Sequence, residues 1–178
     1  MEHFEKFHCN RIFLLGDILY HGPRNPLPTG HGPMGVVDEL NKHKDYITAV
    51  RGNCDAEVDL MLLEFEIADE YRVVEDKGFK VFLSHGHIFE PELMKPQMAD
   101  IYMFGHTHNY LVKKNNQGVV MCNPGSTSLP KGFEVTGQGF LPHPPTFAIY
   151  DSENCGTKGD GTFPTFTIYH METGEKVL

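Results

Sequence analysis

Tryptophan is absent from this chain of 178 residues, and cysteine occurs only four times. Cys9, Cys54, Cys122 and Cys155 are widely scattered and form no CxxC pair. That pattern excludes a zinc knuckle, argues against a disulfide framework, and fits reduced thiols in a cytoplasm. Long apolar runs are missing too: none reaches the roughly 18 residues that a transmembrane helix needs. The opening Met1-Glu2-His3-Phe4-Glu5-Lys6 has neither the basic nor the apolar region of a signal peptide. Basic residues are scarce, 15 Lys and Arg against 24 Asp and Glu, for a net charge of −9. This excludes a general nucleic-acid-binding surface, which rests on clustered cations neutralising backbone phosphates. Any phosphate handled by such a chain must be met locally, by a few positive groups or by bound cations.

What is present is an ordinary globular composition, 40% hydrophobic and 22% charged, long enough for one domain over 1–178 with a real core. The one unusual count is eleven histidines, several of them two residues apart. Glu2 to His8 reads as the end of a helix. Arg11-Ile12-Phe13-Leu14-Leu15 is a continuous apolar run with the signature of a strand buried on both faces. A Gly/Pro-rich loop from Gly22 to Gly32 precedes a helix over Gly35–Lys44, a strand over Tyr46–Val50 and a helix over Ala56–Leu63. From Tyr71 the texture is β. Tyr71–Val74 and Phe79–Leu83 flank a hairpin turn, and Ile101–Phe104, Tyr110–Lys113 and Val119–Cys122 are further strands. Thr146–Tyr150 and Phe163–Tyr169 pair as a terminal hairpin. A β-α-β start followed by many short strands predicts two packed sheets with helices outside.

Four apolar strands end in a possible metal ligand: Leu15-Gly16-Asp17, Arg51-Gly52-Asn53-Cys54-Asp55, Leu83-Ser84-His85-Gly86-His87 and Phe104-Gly105-His106-Thr107-His108. Active sites of open α/β sheets gather at the carboxyl ends of strands, so these groups converge. Carboxylate, amide oxygen and imidazole without thiolate suit a catalytic site for Mn²⁺, Fe²⁺ or Zn²⁺ better than structural zinc. In an extended segment His106 and His108 face the same side and serve two neighbouring metals. Asp17, with two carboxylate oxygens, is the natural bridge. Two such ions, roughly 3.5–4 Å apart, hold a phosphate and activate water for in-line attack. Taken singly, Gly-Asp or Gly-Asn-Cys-Asp is an ordinary turn; the joint order is what carries the signal. Asp55 reads either as a support for the ligands or, in preference, as the N-cap of the helix at Ala56, and His87 as a support for the ligands.

The order of these segments, followed by Asn123-Pro124-Gly125-Ser126, resembles the calcineurin-like metallophosphoesterase superfamily. More narrowly, His21-Gly22-Pro23-Arg24-Asn25 after the Gly-Asp resembles the YfcE-type bacterial phosphodiesterases. The likeness covers roughly Glu2 to Lys131; beyond it the stretch to Gly161 reads as an enlarged loop. The resemblance implies a four-layer α-β-β-α sandwich and two divalent ions, Mn²⁺ first and Fe²⁺ or Zn²⁺ as alternatives. It implies that Asp17 bridges both ions, that Asn53, His85 and His106 complete one site, and that His108 belongs to the other. The remaining ligands of that other site come, in the family, from an Asp-x-His motif on a first strand. This sequence contains no Asp-x-His. The chain therefore reads as an N-terminally truncated domain or one started at an internal methionine, because His3 and His8 read as helix-surface residues. A strand edge left bare by that absence favours pairing into a homo-oligomer.

The expected activity is hydrolysis of a small phosphodiester, with no membrane involved. Asn53 orients the phosphate, and Arg24, His21 and Asn25 clamp a non-bridging oxygen. Cys54 stands where many relatives carry a histidine that protonates the leaving group. A neutral thiol is a poor acid for an alkoxide, so good leaving groups are preferred. The competing readings are a scaffold that keeps the fold without turnover, as in a retromer subunit, and a phosphomonoesterase.

Overall fold

The computed structural model describes residues 1–137 and 139–178. Strands β1 (Ile12–Leu14), β2 (Ile47–Val50) and β3 (Ile67–Ala68) form a parallel sheet in the order β1-β2-β3. Helices α1 (Glu2–Lys6), α2 (Pro33–Lys42) and α3 (Glu57–Leu62) punctuate this half. Pro33 sits at the start of α2, where its missing N–H costs nothing, and Val37 and Leu40 bury one face. That face packs with Leu19 and Leu63 against Leu14, Ile18 and Ile47, forming the outer layer on the parallel sheet.

A second sheet has five strands: β4 (Tyr71–Asp76), β5 (Phe79–Ser84), β6 (Ile101–Phe104), β7 (Tyr110–Lys114) and β8 (Val120–Pro124). Their order is β4-β5-β6-β8-β7, parallel at the centre and antiparallel at both edges. Its central strands show the period of two that a sheet covered on both faces requires. Phe79, Val81, Leu83, Ile101, Met103, Val120 and Cys122 point into the main core with Val50 and Ile168. Phe82, Tyr102, Phe104, Val119 and Met121 point the other way, onto Met94, Ala99 and Phe89. The cover on that outer face is an irregular segment with a short 3₁₀ turn at Pro91–Leu93 rather than an α-helix.

Strands β11 (Thr146–Asp151) and β12 (Thr165–His170) pair as the expected terminal hairpin, with Phe166 and Ala148 packed on the main core. The mixed α/β sandwich thus matches the sequence reading. Three details differ from it. Strand β1 is half-buried rather than buried on both faces, because among the described residues it has a strand neighbour on one side only. The run Ile67–Ala68 pairs with β2 as a short strand that no local pattern announced. The enlarged loop after Lys131 contains a hairpin, β9 (Phe133–Thr136) and β10 (Gly139–Pro142), with every residue exposed.

Ile101 lies fully buried at the centre of the five-stranded sheet. Ile101→Ala should therefore lower unfolding stability by roughly 2–5 kcal/mol, read as a shift of the urea midpoint without a change in slope.

Candidate metal centre and active site

The parallel sheet and the five-stranded sheet both deliver their strand ends to one cleft. It encloses about 100 Å³ and is lined by Asp17, His21 to Asn25, Asn53, Cys54, His106, His108 and Lys131. The loops after β1 and β2 approach so closely that only glycine fits. A Cβ on Gly16 would stand 2.5 Å from the Gly52 nitrogen, and one on Gly52 would stand 2.3 Å from the Asp17 nitrogen. What holds them together is the buried carboxylate of Asp55. It accepts the N–H groups of Asp17 (2.9 Å), Ile18 (2.7 Å) and Gly52 (2.7 Å).

This corrects the expected role of Asp55 as a helix cap. The free N–H at Ala56 is taken by Asp59, at 3.1 Å. The Asp55 side chain turns back into the site because charge-assisted bonds to three buried donors outweigh one exposed cap.

The cluster itself is tight. The Nε2 of His85 lies 3.0 Å from Asn53 Oδ1 and 3.3 Å from Asp17 Oδ2. The Nδ1 of His106 lies 3.0 Å from the same Asn53 oxygen and 3.2 Å from His85 Nε2. Ligand atoms about 2.0–2.2 Å from one ion stand roughly 2.8–3.5 Å from each other, so this spacing is that of a coordination sphere. The proton inventory says the same. His85 Nδ1 is 2.6 Å from the Leu15 carbonyl and must donate to it, so the neutral ring carries its lone pair on Nε2. That lone pair faces two oxygens that are acceptors as well, which fits a divalent cation between them; in the metal-free fold a proton on Nε2 fills the same place. Among the described residues no three His, Cys, Asp or Glu side chains make such a group by themselves. The set closes only when the Asn53 amide oxygen is counted.

His106 and His108 both line the cleft, but not through an extended run. Both adopt left-handed backbone conformations, with φ of 63° and 60°, as does Asp17 at 53°. Such conformations are uncommon outside glycine and gather at functional sites. Asn123 braces the turn, donating from Nδ2 to the Gly105 carbonyl (2.7 Å) and to Thr107 Oγ1 (3.1 Å). Like His85, His108 is oriented through Nδ1, 2.7 Å from the Leu129 carbonyl, which leaves Nε2 free.

The remaining candidates fall into place around the cleft. His21 lines it with a buried Nε2 that has no partner among the described residues. Arg24 is exposed at its wall, and the Asn25 amide is tied to the His21 carbonyl. Cys54 Sγ accepts from Asn53 Nδ2 at 3.1 Å, which turns the Asn53 oxygen towards the histidines. His87 lies beside His85, ring centroids 5.3 Å apart, outside the lining. His3 is elsewhere: its ring stacks on Phe147 and its Nε2 meets the Met171 carbonyl. Lys131 lines the cleft without belonging to any motif, and Asp55, within the Gly-Asn-Cys-Asp segment, serves the site and not the helix.

Over residues 1–154 the chain matches the family described as the calcineurin-like phosphoesterase superfamily domain. It belongs to that superfamily. The chain is 41% identical over 142 residues to Phosphodiesterase YfcE of Escherichia coli, covering 79% of this chain and 77% of that protein. The solved structure of Yfce, a phosphoesterase from E. coli, superposes with a TM-score of 0.81 at 33% identity, over 99% of this chain and 86% of that one. Vacuolar Protein Sorting 29 from Cryptosporidium parvum shares the fold at 19% identity, with a TM-score of 0.57 over 99% of this chain and 85% of its own. Membership of this superfamily implies divalent metal ions, and the donor atoms just described fit them. No described helix is long and apolar enough to cross a membrane.

The electrostatics follow from the geometry. Burial disfavours charge on His85, but the Asp17 carboxylate outweighs it and moves the imidazole pKa upward. Burial lowers His106 and His108, with the charge of His85 adding to both. Burial and the nearby Asp17 charge raise the Cys54 thiol, which keeps it neutral.

Asp55→Ala leaves three backbone donors without an acceptor. It should cost about 3 kcal/mol or more of stability and abolish Mn²⁺-induced thermal stabilisation, both read by calorimetric melting with and without the ion.

Proposed function

We propose that this cleft hydrolyses small phosphodiesters with two divalent ions, Mn²⁺ foremost and Fe²⁺ or Zn²⁺ as alternatives. The observation that carries the reading is the meeting of Asn53 Oδ1 and Asp17 Oδ2 within 3.3 Å of His85 Nε2, a donor set that a shared cation fits. Asp17, Asn53, His85 and His106 would hold one ion. Asp17 and His108 are what this chain offers to the second, since it contains no Asp-x-His. Bound divalent ions supply Lewis-acid and water-activating chemistry. The rest is done by side chains. His85 and His108 are fixed through their Nδ1 atoms, so their Nε2 lone pairs are presented without reorganisation. The Arg24 guanidinium and the unpartnered His21 Nε2 offer donors to a non-bridging phosphate oxygen, with Asn25 bracing the His21 loop. The Asn53 amide hydrogens point to the Cys54 side of the cleft, where the leaving group departs. The neutral Cys54 thiol gives little general-acid help there, so diesters with acidic leaving alcohols are the better substrates.

The relative YfcE is named a phosphodiesterase, and its 41% identity to this chain supports the same class here. A scaffold without turnover is the second reading, favoured by the missing Asp-x-His alone. Residues 1–178 would act as one domain, the free thiols suit a reducing cytoplasm, and the edge of β1 that has no strand neighbour among the described residues is a surface on which copies can pair.

Hydrolysis of bis-p-nitrophenyl phosphate with added Mn²⁺ tests the reading. Turnover should fall at least about 100-fold in Asp17→Ala and on chelation, as removal of an interaction of a few kcal/mol requires. Folded protein without turnover contradicts the enzyme reading and favours the scaffold. The pH dependence has a defined sign. Because His85 is raised in the metal-free fold, its contribution to metal-free stability is present at low pH. That contribution is lost as pH rises through its folded pKa. The ion needs the neutral ring, so the melting-temperature gain from Mn²⁺ should be larger at about pH 8 than at about pH 6.

A further inference from the structure

An acidic chain with a net charge of −9 has few cations, 15 Lys and Arg, and six of them are spent on ion pairs. Lys42, Lys44, Arg51, Arg72, Lys113 and Lys158 each meet a carboxylate. Two cations that line the cleft do not. Arg24 and Lys131 have no ion pair and no side-chain hydrogen bond among the described residues, and the one carboxylate in the lining is Asp17. They come from different loops. The loop of Arg24 packs on Cys54, where a Cβ on Gly22 would stand 2.8 Å from Sγ, and Lys131 adjoins His108, whose carbonyl accepts its N–H at 3.2 Å.

The backbone of Lys131 is pinned. Its N–H donates to the His108 carbonyl at 3.2 Å, and the next residue, Gly132, accepts the His143 N–H at 2.8 Å. A Cβ on Gly132 would fall 1.9 Å from the His143 ring, so the chain here is closely packed against its neighbours. Two residues earlier, the Leu129 carbonyl orients His108. The backbone that carries this cation is thereby tied to a metal-ligand candidate, while the exposed side chain keeps its reach.

The cleft of about 100 Å³ is smaller than the roughly 150 Å³ cavity that holds a benzene ring, so it takes one phosphoryl group and little else. With Arg24 and His21 serving that group, the cation beside His108 is left for whatever the phosphate is attached to. We propose that Lys131 is a specificity-determining residue that selects phosphodiesters bearing a second anionic group, phosphate or carboxylate, on the alcohol next to the scissile phosphate. This rests on the phosphodiesterase reading above and adds a substrate class to it. A lysine at a solvated rim gains only a modest pairing energy, which sets the size of the effect.

The test compares two p-nitrophenyl phosphodiesters with a common leaving group, one carrying a methyl and the other a 2-carboxyethyl substituent, with Mn²⁺ present. Lys131→Gln should lower kcat/KM for the carboxyethyl ester about fivefold, through KM, as loss of about 1 kcal/mol predicts. It should lower kcat/KM for the methyl ester by a clearly smaller factor, so that the preference between the two esters is lost, and Lys131→Arg should retain the preference. Equal losses on both esters, or no loss on either, overturn the proposal. If no ester is hydrolysed, the phosphodiesterase reading fails and a binding titration by NMR decides Lys131 alone. Wild-type preference for phosphonoacetate over ethylphosphonate, erased in Lys131→Gln, upholds the anion subsite. Equal affinity for the two probes, or a preference that survives the substitution, overturns it.

Discussion

The site depends on one buried carboxylate. Asp55 gathers the backbone N–H groups of Asp17, Ile18 and Gly52, and so fastens the loop after β1 to the loop after β2. Those loops carry Asp17 and Asn53, and the glycines between them allow a backbone approach that any Cβ would block. The Leu15 carbonyl, one step before, then receives His85 from the other sheet. A negative charge that binds no ligand thus sets the distance between two residues that do. Its three bonds are to partly or fully buried donors, where charge-assisted hydrogen bonds are strongest and least screened.

Against that constraint the histidines have little freedom. His85 and His108 are both held through Nδ1 by main-chain carbonyls, and both present Nε2. His106 and His108 reach the cleft through left-handed turns braced by Asn123. The backbone cost of those conformations is of order 1–3 kcal/mol each. It is borne by a sheet whose central strands are buried on both faces. Two of the three left-handed residues of the site are therefore carried by the sheet with the better-buried strands, and the third, Asp17, is held by the carboxylate of Asp55.

Much of this was legible in the order of residues. Apolar runs ending in Asp17, Asn53, His85 and His106 gave the strands, their polarity and the convergence of their ends. Phe79–Leu83 and Ile101–Phe104 were readable as strands, but their nearly continuous apolar runs did not show which residues face which core. What was hidden is tertiary. Asp55 stands directly before a helix, so local chemistry favours a cap, and only the crowding of the Asp17 and Gly52 donors turns it inward. His106 and His108 were expected in one cavity because i and i+2 share a side of a strand. They share it for a different reason, two left-handed residues in a turn. Lys131 belongs to no motif, and its place beside His108 comes from a chain reversal after β8. The hairpin of β9 and β10 was read as loop because its strands are exposed throughout and bury nothing that a pattern could report.

The central claim is that His85 Nε2, Asn53 Oδ1, Asp17 Oδ2 and His106 Nδ1 form a cation site and not merely a hydrogen-bonded cluster. Anomalous diffraction from crystals grown with Mn²⁺ tests it most directly. The account predicts a manganese peak about 2.0–2.3 Å from all four atoms. Full occupancy elsewhere with none there, or a cluster that keeps its spacing around a proton at saturating Mn²⁺, would contradict it.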